Sequence, residues 1–149
     1  MNPSLMQLSP TARYALCGMA CIANRPTGNY ALVEEIATTE KMPRHFLAKI
    51  FQQLAQHGFL ISRRGPGGGY ALAQPPKNIS LISILSALGH APISNRCFLE
   101  DRNCDAEEPC AMHEAAVAAA ELMLTALQGK TLADLAQVPV APQKDSRHV

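Results

Sequence analysis

Four glycines stand within five residues at Gly65–Gly69, with a short run of strand-forming residues on each side, at Phe59–Arg63 and Tyr70–Ala73. Glycine adopts the positive φ values that tight turns require at little steric cost. Two strand-like runs separated by such a segment predict a β-hairpin with a glycine-rich tip.

Three segments with helical apolar periodicity precede the hairpin. Ser9 and Pro10 supply the cap and the first-turn proline of the first helix, and Pro43 opens the third. Three helices followed by a hairpin is the order of a winged helix-turn-helix, so we expect a mainly α fold with a small β-hairpin. The helices are predicted from Pro10 to the turn at Asn24, over Ala31–Thr38, and from Pro43 to His57, with Leu47, Ile50, Phe51 and Leu54 as the core row of the third.

Beyond the hairpin the pattern changes. A fourth helix fits Leu81–Leu88, an irregular acid-rich segment follows it, a long alanine-rich helix fits Ala111–Leu127, and a helical turn fits Leu132–Gln137. The last residues contain two prolines among mixed polar residues and are predicted to be disordered. The predicted division is a DNA-binding domain at residues 1–77, a loop and long C-terminal helix at 78–137, and a tail at 138–149.

Charge is distributed unevenly along the chain. Residues 1–77 contain eight lysines and arginines against three acids, whereas residues 78–149 contain five against nine. The first part is therefore the part expected to contact a polyanion. The chain begins without a secretory signal pattern and contains no apolar run long enough to span a membrane, so we expect a cytoplasmic protein with reduced cysteines.

The third predicted helix has a polar face opposite its core row. The side chains on this face carry the donors and acceptors that reach base edges and phosphates in a major groove. A merely solvated face is the plainer alternative. The candidate DNA-reading residues are Arg44, His45, Lys49, Gln52 and Gln56, with the small Ala48 beside them, able to approach a thymine methyl.

The hairpin strengthens the DNA-binding interpretation. Its tip, Gly65, Pro66, Gly67, Gly68 and Gly69, has almost no side chains, so its backbone could enter a narrow groove. Arg63 and Arg64 stand at its base, and arginine is favoured by the negative potential of a narrowed minor groove. No Lys-Ser/Thr follows the glycines as a P-loop requires, and Tyr70 occupies the place of the third glycine of a dinucleotide motif.

Three cysteines follow a C-x6-C-x5-C pattern in the irregular segment, at Cys97, Cys104 and Cys110. Thiolates at such wide spacing suit an iron–sulfur cluster, because the chain must wrap an object several ångströms across. Zinc sites more often use closely spaced pairs, so zinc is the second interpretation. His113 follows Cys110 by three residues and could supply a fourth ligand.

The other two cysteines, Cys17 and Cys21, stand four residues apart beside the apolar row of the first helix. Packing in the core explains them best. A thiol enzyme is a further alternative, but the chain has no Cys-x-x-Cys and no recognisable carboxylate–histidine–cysteine arrangement. We therefore expect a protein that is not an enzyme.

Three segments carry a resemblance to a known family: Leu8–Ala15, the wing sequence Arg64–Tyr70, and the cysteine trio with His113 three residues after it. They are similar to the winged-helix iron–sulfur regulators, which include the IscR-type and NsrR-type transcription regulators. The resemblance extends over about residues 8–135, and the histidine spacing is that of the IscR type.

The resemblance implies a homodimer built on the long helix, which binds a double-stranded DNA operator and carries an iron–sulfur cluster that changes its DNA affinity. A 2Fe–2S cluster is favoured, and 4Fe–4S is possible. Some family members have no cluster, so a cluster-free regulator that senses through thiols or zinc is the alternative. By position, phosphates would be approached by Ser9, Thr11 and Tyr14, the major groove by the Arg44–Gln52 face, and the minor groove by the Arg64–Gly69 tip.

Two departures from the family pattern bear on these expectations. The interval between Cys97 and Cys104 is one residue longer than the commoner spacing, and Ala48 stands where the IscR type has a carboxylate. Some members take the fourth cluster ligand from the first helix, where this chain has Arg13, which cannot ligate, with Cys17 nearby. We favour His113 as the fourth ligand.

Overall fold

A computed structural model describes residues 8–89 and 95–137. The predicted fold class is confirmed, because the described residues form helices and one two-stranded antiparallel hairpin. The predicted tail at 138–149 lies outside the described residues. The elements are α1 (Pro10–Ala23), α2 (Val33–Thr39), α3 (Arg44–Gln56), β1 (Leu60–Arg63), β2 (Gly69–Leu72), a 3₁₀ turn (Pro76–Asn78), α4 (Leu81–Ala87), α5 (His113–Gln128) and α6 (Leu132–Gln137).

The first helix begins where its cap was predicted. The backbone amide of Ala12 donates to the Ser9 hydroxyl oxygen over 3.2 Å, and Pro10 fills the first turn, where no amide partner is needed. Gly18 allows α1 to approach α3 closely, because a Cβ at this position would lie 2.8 Å from the Phe51 ring. The α1–α3 contact therefore depends on this glycine.

The predicted core row of α3 is confirmed. Leu47, Phe51 and Leu54 are fully buried and Ile50 is nearly so, and they pack in one core with the apolar side of α1 and with Ile36 of α2. Residues of this kind contribute most of the stability of a small domain, since burying each side chain is worth about 1.5–3 kcal/mol.

The second helix begins two residues later than predicted. Ala31 does not enter α2, because its amide and its carbonyl both pair with Tyr70, each over 2.8 Å. This bridge attaches the segment before α2 to the hairpin. The sequence could not indicate it, because Ala31 and Tyr70 are far apart in the chain and alanine is a good helix former.

The hairpin pairs Leu60 with Leu72 and Arg63 with Gly69. The amide of Gly68 closes the turn on the carbonyl of Gly65 over 2.9 Å. A Cβ on Gly68 would lie 2.3 Å from the carbonyl oxygen of Arg63, so no other residue fits this turn. The glycine-rich tip is therefore a requirement of the fold as well as a candidate binding element.

The last two helices, α5 and α6, differ in how deeply they are buried against the rest of the molecule. Leu132 of α6 is fully buried in the same core as α1, and its amide donates to the carbonyl of Ile79 over 2.8 Å. In contrast, α5 packs against α4 but contains no buried residue. Among the described residues, no helix combines the length and the apolar content needed to cross a membrane.

Candidate nucleic-acid interface and cysteine centre

The outer face of α3 is exposed as the sequence predicted. His45, Lys49, Gln52 and Gln56 are all exposed, whereas the small Ala48 is half-buried beside them. Their side chains point away from the core because Leu47, Ile50, Phe51 and Leu54 occupy the opposite side of the helix. The face is thus available to a large ligand along the length of α3.

Arg44, at the start of α3, has a partner that the sequence did not reveal. Its Nε and Nη2 atoms lie 2.7 Å and 2.5 Å from Oε1 of Glu34 in α2. The backbone amide of Glu34 itself and then the Arg44 guanidinium hold the pKa of this carboxyl below its ordinary value. Glu34 is therefore an anion that fixes the arginine while both side chains stay exposed.

An open cavity of about 520 Å³ lies between α3 and the base of the hairpin. The structure thus brings the two halves of the predicted surface together: polar side chains of the helix face the wing arginines across this cavity. Residues that line it include Gln52, Gln56, Arg63, Arg64 and Tyr70.

The Arg63 guanidinium is positioned by an aromatic ring. Its Cζ atom lies 4.4 Å from the centre of the Tyr30 ring, in a cation–π contact. Tyr30 immediately precedes Ala31, which pairs with the hairpin, so the ring is held close to β1 and β2. Sequence reasoning missed Tyr30, because nothing in a linear pattern links it to Arg63.

The hairpin tip is divided into an outer and an inner part. Gly65, Pro66 and Gly67 are exposed, whereas Gly68 is buried and Gly69 is half-buried. Gly69 has φ of 124°, and a Cβ there would lie 2.3 Å from the carbonyl oxygen of Ala31. The outer three residues are the ones free to meet a ligand, and the inner two shape the turn.

The residues predicted to approach phosphates on α1 are half-buried. The Ser9 hydroxyl already accepts the amide of Ala12, and Tyr14 packs partly against the core. Thr11 lies between them in the first turn and is half-buried too. The Ala12 and Arg13 amides are already bound by Ser9, so a phosphate at this helix N-terminus would compete with the cap for those donors.

The cysteine segment, predicted to be irregular, contains a short antiparallel pairing. The amide of Cys97 donates to the carbonyl of Arg102 over 2.8 Å, and the amide of Cys104 donates to the carbonyl of Asn95 over 2.7 Å. Between these bonds, Arg96 and Asn103 form a bridge. Cys97 and Cys104 are therefore held on opposite arms of one small turn.

The four predicted ligands come together as two pairs. The Cys104 sulfur lies 3.2 Å from Nδ1 of His113, and Cys110 is close enough to the Cys97 thiol to help lower its pKa. The pKa of the Cys97 thiol lies below its ordinary value because the backbone amides of Leu99 and Glu100 donate to its sulfur. Amides arranged this way stabilise a thiolate, the form that binds metal.

The donor set is chemically suited to an iron–sulfur cluster, because thiolates hold most such clusters and imidazole replaces some of them in others. Within residues 8–89 and 95–137, no three histidine, cysteine or acidic side chains converge closely enough to hold one metal ion. Any metal centre here would therefore draw its ligands from both the Cys97–Cys110 pair and the Cys104–His113 pair.

Two arginines organise the acidic turn between the cysteines. Arg102 pairs with Glu100 through Nε and donates to the carbonyl of Glu108 over 2.6 Å. Arg96 pairs with Asp101. Sequence reasoning noted only the acidic residues of this loop and overlooked its two arginines. The position of Arg96 and Arg102 among those acids was the signal that could have indicated the ion pairs.

The two cysteines of α1 differ from those of the loop. Cys17 and Cys21 are half-buried, and Cys21 packs against the core. Burial raises the pKa of both thiols, and the charge of Glu40 raises it further. Both cysteines therefore behave as packed thiols, in keeping with the sequence interpretation.

Three helices, a hairpin, and a polar face joined to a basic wing define a winged helix-turn-helix protein. Residues 8–138 match the Rrf2 family, described as iron-dependent transcriptional regulators. The chain belongs to this family of transcriptional regulators.

Relatives and solved structures agree with this assignment. A protein of Aquifex aeolicus, provisionally named an HTH-type transcriptional regulator, is 35% identical over 89% of this chain and 93% of its own length. CymR of B. subtilis, titled the global cysteine regulator, shares 30% identity with a TM-score of 0.68, covering 88% of this chain and 96% of its own. IscR of T. potens has the same fold, with a TM-score of 0.63 at 21% identity over 86% of this chain and 84% of its own.

Proposed function

We propose that this transcriptional regulator is a cytoplasmic homodimer whose DNA affinity is set by an iron–sulfur cluster on Cys97, Cys104, Cys110 and His113. The observation that carries the proposal is the grouping of these four donors into two pairs, on the cysteine loop and at the start of α5. A 2Fe–2S cluster is the favoured form, because two donors per pair suit two iron atoms. When bound, the cluster supplies a metal centre that responds to iron supply or redox state.

The cysteine loop is joined directly to the proposed dimer helix. His113 is the first residue of α5, and its amide donates to the carbonyl of Cys110 over 3.1 Å. The loop therefore determines where α5 begins and how it leaves the domain. In this proposal, ordering of the loop sets the distance between the two recognition helices, which must match half-sites about 34 Å apart.

An apolar strip on α5 supports the homodimer. The side of α5 away from α4 carries four exposed apolar residues at helical spacing, and a helix of a single chain would gain nothing from exposing them. Leu122, in the middle of the strip, is 71% exposed. The strip comprises Ala115, Ala118, Leu122 and Ala126.

The proposed DNA contacts follow the surface described above. The face of α3 would enter the major groove, with Arg44, His45, Ala48, Lys49 and Gln52 as its reading residues. The wing residues Arg63, Arg64 and Gly65–Gly69 would follow the minor groove, and Ser9, Thr11 and Tyr14 would approach phosphates. The exposure of the α3 face and the cavity that joins it to the wing arginines support this assignment.

A cluster-free regulator that senses through thiols or zinc is the second candidate. The structural likeness to a protein titled the global cysteine regulator favours it. The same loop would then act through Cys97, whose thiol has a pKa below its ordinary value, and through Cys110, which contributes to that lowering. The two candidates differ in what the freshly isolated protein contains.

Anaerobic isolation from iron-replete cells separates the candidates. The proposal expects a brown protein with bound iron and sulfide and with absorbance between about 320 and 420 nm, the signature of thiolate-bound iron–sulfur centres. Cys104→Ser should abolish this absorbance, whereas Cys21→Ser, the matched change at a packed thiol of α1, should leave it intact. A colourless wild-type protein, with zinc or with no metal, would support the second candidate.

The switch itself requires a binding measurement. DNA affinity for a duplex selected from a random pool should differ clearly between the protein with its cluster and the same protein after iron removal. Equal affinities of the two forms would contradict cluster control while leaving DNA binding in place.

A further inference from the structure

The contact between Arg44 and Glu34 joins the two helices of the helix-turn-helix at the point where α3 begins. Both contacts of the arginine, from Nε at 2.7 Å and from Nη2 at 2.5 Å, go to one carboxylate oxygen. Both side chains are more than half exposed. Exposed ion pairs of this kind add little to stability, so stability gives no reason for this geometry.

The contact with Glu34 uses only some of the N–H donors of the Arg44 guanidinium. A guanidinium has five N–H donors in a rigid plane. Nε donates to the Glu34 carboxylate, and Nη2, on the same edge of the guanidinium, lies 2.5 Å from the same oxygen. The remaining donors, on Nη1 and on the outer side of Nη2, form the end of the fork.

The donors at the end of the guanidinium match the two hydrogen-bond acceptors that guanine presents in the major groove. Arginine binds guanine by donating two parallel hydrogen bonds to O6 and N7 in the major groove. Recognition helices place their N-terminal residues against base edges, and Arg44 is the first residue of α3. An arginine already fixed by a carboxylate loses less rotational freedom when it forms those two bonds.

We propose that Glu34 is a positioning residue that fixes Arg44 to read a guanine in each half-site. The inference rests on the proposed DNA-binding function and adds to it a determinant of sequence preference. Glu34 acts through Arg44 and is not itself expected to touch DNA, because its negative charge is repelled by phosphates.

The chain provides a matched control in the neighbouring residue. Glu35 also lies in the first turn of α2, and it pairs with Arg25 at 3.0 Å instead of with a residue of α3. Glu34→Gln and Glu35→Gln therefore remove the same charge from the same helix turn. Only the first variant weakens the contact that holds Arg44, because it replaces a charged acceptor with a neutral one.

The experiment selects duplexes from a random pool with the full-length protein, kept anaerobic, and compares wild type with Glu34→Gln, Glu35→Gln and Arg44→Ala. Arg44→Ala identifies the guanine position, because the preference there should disappear. At that position Glu34→Gln should reduce discrimination between guanine and the other bases by about three- to tenfold, part of the value of one bidentate contact. Glu35→Gln should keep the wild-type preference.

The loss of a carboxylate also raises attraction to any duplex, so affinity for unrelated DNA should rise in both glutamine variants alike. Comparing the two variants separates the positioning effect of Glu34 from the effect of removing its charge. We expect the ratio of specific to non-specific affinity to fall only in Glu34→Gln. An unchanged ratio and preference in Glu34→Gln, or equal changes in both variants, overturns the role of Glu34 alone. Failure of the wild-type protein to enrich any sequence overturns the proposed function as well.

Discussion

The pKa values and contacts of individual side chains in this protein depend on neighbours that are often distant in the sequence. Cys97 accepts hydrogen bonds from backbone amides and has a lowered pKa, whereas Cys17 and Cys21 are half-buried on α1 and have raised pKa values. The two kinds of thiol therefore differ in chemistry although they are the same residue. Arginines differ in the same way, since Arg63 stacks on Tyr30 and Arg44 is bound by Glu34.

The thiols of α1 should react slowly. In a variant with the three loop cysteines replaced by serine, we expect Cys17 and Cys21 to react more slowly with iodoacetamide at pH 8 than in the urea-unfolded chain. Burial raises their pKa, so less of the reactive thiolate is present at a given pH. Equal rates in the folded and unfolded chains would contradict this prediction.

The wing arginine should contribute to affinity without contributing to sequence choice. Arg64→Ala is expected to weaken binding to all duplexes and to reduce by about one the slope of log affinity against log salt, as the loss of one phosphate or minor-groove contact should. Fluorescence anisotropy at several salt concentrations measures both quantities. Lys77→Ala, which removes a charge outside the cavity between α3 and the hairpin, is the control and should leave the slope unchanged.

Helices and strands could be predicted closely where local signals determine their ends. Ser9 and Pro10 define the start of α1, and His57-Gly58 the end of α3, so these ends agree with the structure. The start of α2 was two residues off because a bridge to Tyr70, distant in sequence, holds Ala31. The ligand candidates could be named from their spacing, but their pairing depends on hydrogen bonds within the loop that no spacing reveals.

The contact between α1 and α3 should tolerate no added methyl group. Gly18→Ala is expected to lower the free energy of unfolding by about 1–3 kcal/mol, the usual cost of overpacking, because the new Cβ would meet the Phe51 ring. Urea unfolding monitored by circular dichroism measures the loss. Gly129→Ala has no atom closer than 3.7 Å to its new Cβ and should change stability by less than about 1 kcal/mol.

The Tyr30 ring should matter for DNA binding through Arg63. Tyr30→Leu is expected to weaken DNA binding several-fold, because the guanidinium loses the aromatic face that holds it. Tyr30→Phe keeps that face and should bind like the wild-type protein. If leucine and phenylalanine variants bind equally well, Arg63 does not depend on the ring.

At the scale of the whole molecule, one core holds the winged helix together with α4 and α6, while α5 adds no buried residue to it and packs against it through the partly buried Leu127. The exposed apolar strip on α5 is the feature that a single chain leaves unexplained, and a second copy would cover it. The cysteine loop leads directly into this helix, so the proposed metal centre and the proposed subunit contact would share one stretch of chain.

The oligomeric state tests this arrangement. Leu122→Lys is expected to convert a dimer into a monomer at micromolar concentration, because it places a charge in the centre of the apolar strip. Gln128→Lys introduces the same charge at an exposed position of α5 outside the strip and should remain dimeric. Sedimentation velocity distinguishes the species, and a dimeric Leu122→Lys protein would show that subunits associate elsewhere.

The bridge between Ala31 and Tyr70 has a mechanical consequence. Because two hydrogen bonds join the segment before α2 to the hairpin, we expect the helix-turn-helix and the hairpin to keep a fixed spacing. With α3 in a major groove and the hairpin tip in the adjacent minor groove, as proposed, this spacing would have to match the distance between the two grooves. Operators would then be sorted partly by local duplex geometry, at base pairs that no side chain touches.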